Sequence, residues 1–387
     1  MEAQSLAYDR GMKAQDAVSL TRTLLGFDTI NPPGREHDCA AMAGQLLKDA
    51  GFSVEYFDYE PGRTSVVARI GGSDAKPPLC LTGHLDVVPL GTRQWTKDPF
   101  SGETDGDKLY GRGTSDMKSG VAAIVVAAIN LSRSLKGKNS PGIVLVLTAA
   151  EEGGCVGSAR LAELPKLMGR AGAIVVGEPT SNYPMVGHKG SIKFHAAFKG
   201  VSAHGSMPQL GVNAIYKAAR AIAKLEAFEF GVRPHPLMGG PTLNVGTVAG
   251  GSGVNLVPDQ ATIGVDIRTV PGMDHEKLLS RLKEILADGE MNVFSNLNAV
   301  WTEPEKAWMQ RVFEICKPIL NEKVEARTAP YMTDAANLLK VYAGAPVVVL
   351  GPGEAAMAHQ TDEYCSMERI GQSVAIYEAL IRDWCGA

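Results

Sequence analysis

The sequence lacks most of the features that would send a chain into a membrane, out of the cell or onto a nucleic acid. Its N-terminal run, MEAQSLAYDRGMKAQDAVSL, has no apolar core, so no secretory leader is expected. The longest apolar run, Val121 to Ile129, falls far short of the roughly 20 residues that span a bilayer, and reads as a buried helix. Six cysteines (Cys39, Cys80, Cys155, Cys316, Cys365 and Cys385) stand without close pairs. That pattern suits reduced thiols in a cytoplasm rather than a disulfide framework or a thiolate zinc site. No Lys/Arg block interrupts a net charge of -4, and a mildly acidic surface does not suit nucleic acid. No GxGxxG or GK[S/T] pattern follows a strand, which argues against a nucleotide.

What is present is an ordinary globular composition, 45% apolar and 21% charged, over 387 residues. At roughly 100–200 residues per domain that suggests two domains, or three. In the first half, apolar strand-like runs alternate with helix-like stretches. The strand-like runs are Ser65–Ile70, Leu79–Thr82, Gly142–Thr148 and Ala173–Val176; the helix-like ones are Asp38–Ala50, Ser119–Ser134 and Arg160–Met168. Gly142–Thr148 is wholly apolar, as a central strand covered on both faces should be. This rhythm predicts an α/β layer with a mainly parallel sheet. Near Gly190 the pattern changes. Partly alternating strands (Ile192–Lys199, Leu243–Ala249, Ala261–Arg268) and two helices, one ending near Phe228 and one over His275–Ala287, form an α+β unit of roughly 110 residues. The α/β rhythm returns with helix Pro304–Leu320, strand Pro346–Leu350 and helix Ile370–Trp384, so the small unit reads as an insertion.

Ionisable residues gather where the buried strands end, which is where open α/β sheets place their sites. His84 and Asp86 follow Leu79–Thr82, and two residues apart on extended chain they can face one side. Asp116 stands just before the buried helix. Glu151 and Glu152 follow Thr148, Glu178 follows Val176, and His359 lies in a loop after Leu350. Each alone is an unremarkable loop residue. Together, four or five carboxylates in one cleft would repel one another and raise their pKa values, a penalty that divalent cations remove. Imidazole and carboxylate without thiolate suit Zn²⁺ first, with Co²⁺ or Mn²⁺ behind it. Hydrolysis follows if a coordination position stays open for water.

Six blocks then carry a resemblance. HLDVVP (His84–Pro89), W-x-x-DPFSG (Trp95–Gly102) and LYGRGTSDMKSG (Leu109–Gly120) are the first three. EEGGCVGS (Glu151–Ser158), GEPT (Gly177–Thr180) and GVSAHGSMPQLGVNAI (Gly200–Ile215) complete them. In this order, over nearly the whole chain, they resemble the zinc-dependent aminoacylase, carboxypeptidase G and acetylornithine deacetylase/succinyldiaminopimelate desuccinylase family. The block GPGEAAMAHQTDEY (Gly351–Tyr364) is most similar to the acetylornithine deacetylase branch. The resemblance implies that His84 and Glu178 hold one zinc, that Glu152 and His359 hold the other, and that Asp116 bridges them ahead of a cis peptide to Met117. It implies that Asp86 accepts a hydrogen bond from His84 and fixes its tautomer. Glu151 would be the general base; as a neighbour of Glu152 on extended chain it points the other way.

In the inserted unit the resemblance implies that His204 reaches the active site of a partner subunit and polarises the substrate carbonyl. Asn255, in GSGVNLVPD, and Arg268 would hold a free substrate carboxylate, a task suited to a guanidinium. Lys189 touches either substrate or solvent. His188 is expected to be a hinge residue rather than a ligand. Asp334 either favours a cationic substrate side chain or caps the helix Ala335–Lys340. His37, His195, His235 and His275 match no motif and read as structural.

The expected fold class is therefore α/β. A mainly parallel sheet with helices on both faces forms a zinc-binding catalytic domain, 1–189 and 298–387, and an α+β lid and dimerisation domain, 190–297, is inserted into it. The expected activity is that of a di-zinc amidohydrolase, acetylornithine deacetylase-like, acting as a cytoplasmic homodimer on an N-acyl amino acid. A carboxypeptidase or dipeptidase with the same chemistry is the alternative. A non-catalytic binding protein on the same fold would be expected to lack a ligand or the base, and here all six positions are filled.

Overall fold

A computed structural model of the chain describes residues 16–73, 75–137 and 140–386. Most of the N-terminal run in which a leader would stand lies outside the described residues. The chain packs as two units. The first takes in the residues up to Gly187 together with Thr302–Ala329 and Thr333–Ala387; the second is His188–Trp301 with Pro330–Met332. The expectation put the insertion at 190–297.

In the first unit the sheet runs in the order Ser53–Glu60, Arg63–Ile70, Ile143–Thr148, Leu79–His84, Ala173–Val176, Val347–Val349, Met185–His188. The four central strands are mutually parallel, and their residues are wholly buried, which accounts for the mainly apolar runs along them. Antiparallel strands flank them on each side. The helix Ser119–Leu135 is core: Val121 to Ala128 have no exposed surface, so the longest apolar run in the sequence is an internal helix. The helix expected over Arg160–Met168 is two, Val156–Ala162 and Pro165–Met168. Pro165 has no N–H to continue the first helix and keeps Leu164 out of helical backbone, so it starts a second one.

The second unit is a four-stranded antiparallel sheet in the order Thr242–Gly250, Gln260–Thr269, Gly190–Lys199, Gly289–Leu297. Alternate residues of two strands (Ile192, Phe194, Ala196, Phe198 and Ala261, Ile263, Val265, Ile267) form one core. Helices Ala214–Glu226 and His275–Ile285 add Ala218, Leu225, Leu278 and Leu282 to it. Each helix starts on a capping side chain: Asn213 accepts from Tyr216 N–H and Asp274 from Lys277 N–H, both at 3.1 Å.

The first unit depends on close backbone approach beneath its strand ends. A Cβ on Gly120, in the core helix, would stand 2.1 Å from the carbonyl oxygen of Gly177, the residue before Glu178. Gly120→Ala should therefore destabilise the unit by about 1–3 kcal/mol through overpacking. Gly371→Ala, in the helix Met367–Cys385 with nothing within 4 Å of its added Cβ, should be neutral or stabilising. Thermal unfolding followed by circular dichroism measures both, and equal melting temperatures for the two variants would refute the packing argument.

Candidate metal centre

The register of the parallel strands brings the predicted residues together. His84 ends its strand directly beside Thr148, the last residue before the turn to Glu151 and Glu152. On the other side Thr82 pairs with Val176, two residues before Glu178. Parallel strands end on the same edge, so three strands deliver their following residues to one place. Asp116 arrives from a tight turn, Thr114–Lys118, in extended backbone and followed by a cis peptide to Met117. His359 comes from the loop after Val347–Val349, in left-handed conformation.

Two donor triads result. His84, Asp116 and Glu178 form one; Asp116, Glu152 and His359 form the other; within each, one donor atom per residue lies within 4.8 Å of the others. Asp116 belongs to both: its Oδ1 is 3.0 Å from His84 Nε2 and its Oδ2 is 3.4 Å from His359 Nε2. His359 Nε2 is 3.1 Å from Glu152 Oε2, and His84 Nε2 is 3.8 Å from Glu178 Oε1. The buried Oε1 of Glu152 has no hydrogen-bond partner. Imidazole and carboxylate donors around a shared carboxylate, with an orphaned buried oxygen among them, fit a pair of divalent cations.

Asp86 corrects one expectation. His84 Nδ1 donates to the backbone carbonyl of Asp86 at 2.9 Å, while the Asp86 carboxylate stands off at 3.6 Å. The backbone bond keeps one proton on Nδ1, so Nε2 is the nitrogen that a cation would take once its own proton leaves. The Asp86 carboxylate is used elsewhere. It accepts from Glu151 N–H at 2.9 Å, Glu152 N–H at 3.1 Å and the Asn31 amide at 2.8 Å, and so sets the turn that carries both glutamates. A buried ion pair supports the same turn: Arg63 clasps Glu36 through two bonds of 2.7 and 2.8 Å, and Glu36 accepts from Ala150 N–H at 3.2 Å.

The sequence reading missed Glu363. It is fully buried and accepts from the backbone N–H of Gly113, Ser115 and Asp116 at 3.1, 2.8 and 3.0 Å, and from Arg112 at 2.5 Å. It therefore holds Asp116 in place. Glu363 stands just before the short strand Tyr364–Ser366, whose pairing with Lys108–Tyr110 brings it to that loop. The available signal was its place in the same block as His359, four residues on. For Asp334 the capping alternative is corrected. Its side chain makes no cap to the helix Ala335–Val341; it is buried and accepts the hydroxyl of Thr148.

The second unit holds the remaining predicted residues. His204 is exposed, with Nδ1 2.7 Å from Ser206 Oγ. It pairs with Leu256, and Gly205 N–H donates to the Asn255 carbonyl at 2.7 Å, so His204 and Asn255 lie side by side. Arg268 pairs with Asp266 at 2.9 Å, so a substrate carboxylate there would meet a guanidinium already engaged. Lys189 donates to the Gly240 carbonyl at 2.6 Å and is partly buried, so it does not face solvent alone. Burial lowers the pKa of His188 to about 4, and its Nδ1 meets the Lys189 carbonyl at 2.8 Å.

Charge is the cost of this arrangement. Burial pushes the Glu151, Glu178 and Glu152 carboxyls up, and repulsion among them and from Asp116 pushes further, against the pull of His84. Burial opposes a charged His84, but its hydrogen bond to Asp116 and the nearby Glu178 and Glu151 outweigh it and hold the imidazole well above its ordinary value. Hydrogen bonds to Asp116 and Glu152 raise His359 to about 10. Burial works against the Asp116 carboxylate, yet its bonds to His359 and His84 keep it ionised.

Residues 80–383 match the sequence model of peptidase family M20/M25/M40. An acetylornithine deacetylase of Vibrio atlanticus is 29% identical over 97% of this chain and 97% of its own. A Staphylococcus epidermidis protein named "probable succinyl-diaminopimelate desuccinylase" is 28% identical over 96% of this chain and 98% of its own. The crystal structure of an M20 family metallo-carboxypeptidase from Sulfolobus solfataricus superposes with a TM-score of 0.80 at 19% identity, over 96% of this chain and 99% of that one.

Cation binding must displace the protons that the raised groups retain. His359, protonated up to about pH 10 in the metal-free protein, has to lose its proton to become a ligand. Apparent affinity for Zn²⁺ should therefore tighten as pH rises toward about 10. Titration calorimetry in buffers of different ionisation enthalpy should report net release of about one proton or more per cation. Binding enthalpies independent of buffer would contradict this.

Proposed function

The chain belongs to peptidase family M20/M25/M40, and from that premise we propose that it is a di-zinc amidohydrolase that cleaves an N-acyl amino acid to a free amino acid and a carboxylate, in the manner of an acetylornithine deacetylase. The carrying observation is the pair of donor triads that share Asp116, with Glu151, a further partly buried carboxylate, outside both. Family members act on amide and peptide bonds through a dinuclear metal site. Zinc is favoured over cobalt and manganese by two imidazoles among carboxylates. The deacylase reading is supported by the relatives with which the chain aligns over nearly its whole length, named as acetylornithine deacetylases and desuccinylases.

His84 and Glu178 would hold one cation, Glu152 and His359 the other, and Asp116 both. When bound, such cations supply Lewis acidity, polarising a carbonyl oxygen and making a water easier to deprotonate. Glu151 accepts the proton of the attacking water and returns it to the leaving nitrogen. Asp86 keeps Glu151 and Glu152 on their separate tasks by binding both backbone N–H groups. Asn255 and Arg268 would hold the substrate carboxylate, Arg268 by exchanging its bond to Asp266.

The active form would be a homodimer, with His204 of one copy donating to the developing oxyanion in the other. In support, His204 is exposed within a surface that also exposes Met207, Leu210, Val212, Ile215 and Tyr216. A cluster of that kind suits contact with a second copy.

A panel of N-acetyl amino acids (N-acetylornithine included), N-succinyl amino acids and dipeptides, assayed on zinc-loaded protein, tests the substrate class. Turnover confined to N-acetyl substrates is expected; broad dipeptide turnover would replace the deacylase reading with a peptidase one. Glu151→Gln should cost about a thousandfold in kcat with bound zinc unchanged, whereas Glu152→Gln should lose zinc as well. Equal mixtures of His204→Ala and Glu151→Ala protein should recover about a quarter of wild-type activity, since half of the dimers would carry one intact site. No recovery on verified mixing would rule out a shared site.

A further inference from the structure

Resting on the reading of Glu151 as the base, we propose that Cys155 is a positioning residue for it, its thiol holding the Glu151 carboxylate in its working orientation. The turn from Glu151 to Cys155 closes through a 2.7 Å bond from Cys155 N–H to the Glu151 carbonyl. The thiol then donates to Glu151 Oε1 at 3.2 Å, and Cys155 is 1% exposed. The third group present is Asp334. One of its oxygens lies within 4.8 Å of the Glu151 and Cys155 donor atoms, and its buried Oδ1 has no hydrogen-bond partner. Two carboxylates at this distance repel. The thiol's bond to Oε1 holds Glu151 in place against that repulsion. Burial, then the charges of Glu151 and Asp334, push the thiol well above its ordinary pKa, so it stays a donor.

The backbone points the same way. Cys155 sits at φ 60, a left-handed conformation that disfavours residues with a Cβ and suits glycine. Its carbonyl is held independently of the thiol, by Ser158 Oγ and the buried amide of Asn337, each at 3.0 Å. A glycine would fit this backbone with less strain. A side chain standing at a strained position beside a reactive group points to use of that side chain.

The test compares Cys155→Ser, Cys155→Ala and Cys155→Gly with Glu151→Gln in the zinc-loaded chain, measuring kcat, KM, bound zinc and melting temperature. Serine restores a donor and should keep kcat within about threefold of wild type. Alanine and glycine should each lose about tenfold in kcat at unchanged KM and zinc content, the scale of one hydrogen bond. Glycine should melt above alanine, because it removes the backbone strain while activity stays low. Wild-type kcat in Cys155→Ala, beside an inactive Glu151→Gln, would overturn this proposal alone. A parallel fall of kcat, zinc content and melting temperature in all three variants would reduce Cys155 to packing and overturn it too. An active Glu151→Gln would remove the base assignment itself.

Discussion

Repulsion among buried carboxylates governs the first unit. Asp116, Glu151 and Glu152, each half-buried, converge with the buried Glu178, and Asp86 and Asp334 are buried close behind. A pair of like charges about 4 Å apart costs on the order of 4 kcal/mol even at an effective dielectric constant near 20. Two imidazoles offset part of this, and their own pKa values rise as a result. A protein holds such a cluster together only if the surrounding scaffold cannot relax and a positive ligand removes the penalty.

The scaffold meets the first condition with backbone hydrogen bonds. The Asp86 carboxylate fastens Glu151 and Glu152, the Glu363 carboxylate fastens Asp116, and the Glu36–Arg63 pair fastens Ala150. Each of these carboxylates is itself fully buried and takes several donors, so none can swing away without leaving N–H groups unpaired. The parallel register does the rest. His84 beside Thr148, and Thr82 beside Val176, fix three strand ends at one height, and the residues that follow have little choice of where to point.

Much of this was legible in the sequence, for a physical reason. Strands buried on both faces must be apolar throughout, so Ile143–Thr148 and Ala173–Val176 announce themselves, and ionisable residues just beyond them stand out. The edge strands Ser53–Glu60 and Gly289–Leu297 were not recognised, because their side chains are mostly exposed or half-exposed and carry polar and charged residues among the apolar ones. The supporting carboxylates were harder still. The Asp86 carboxylate binds N–H groups 65 and 66 residues away, and Glu363 binds N–H groups about 250 residues away. A side chain that pairs with backbone leaves no partner residue in the sequence to betray it. Asp86 was expected to face His84 for the same reason: proximity in sequence favoured the imidazole, while the folded chain offered its carboxylate two better aligned N–H groups and an amide.

The central claim is that one carboxylate, Asp116, serves two cations. Anomalous diffraction recorded at the zinc absorption edge from zinc-soaked crystals tests it most directly. The account predicts two peaks, one among His84, Asp116 and Glu178 and one among Asp116, Glu152 and His359, with Asp116 touching both. A single peak, or peaks away from these side chains, would contradict it.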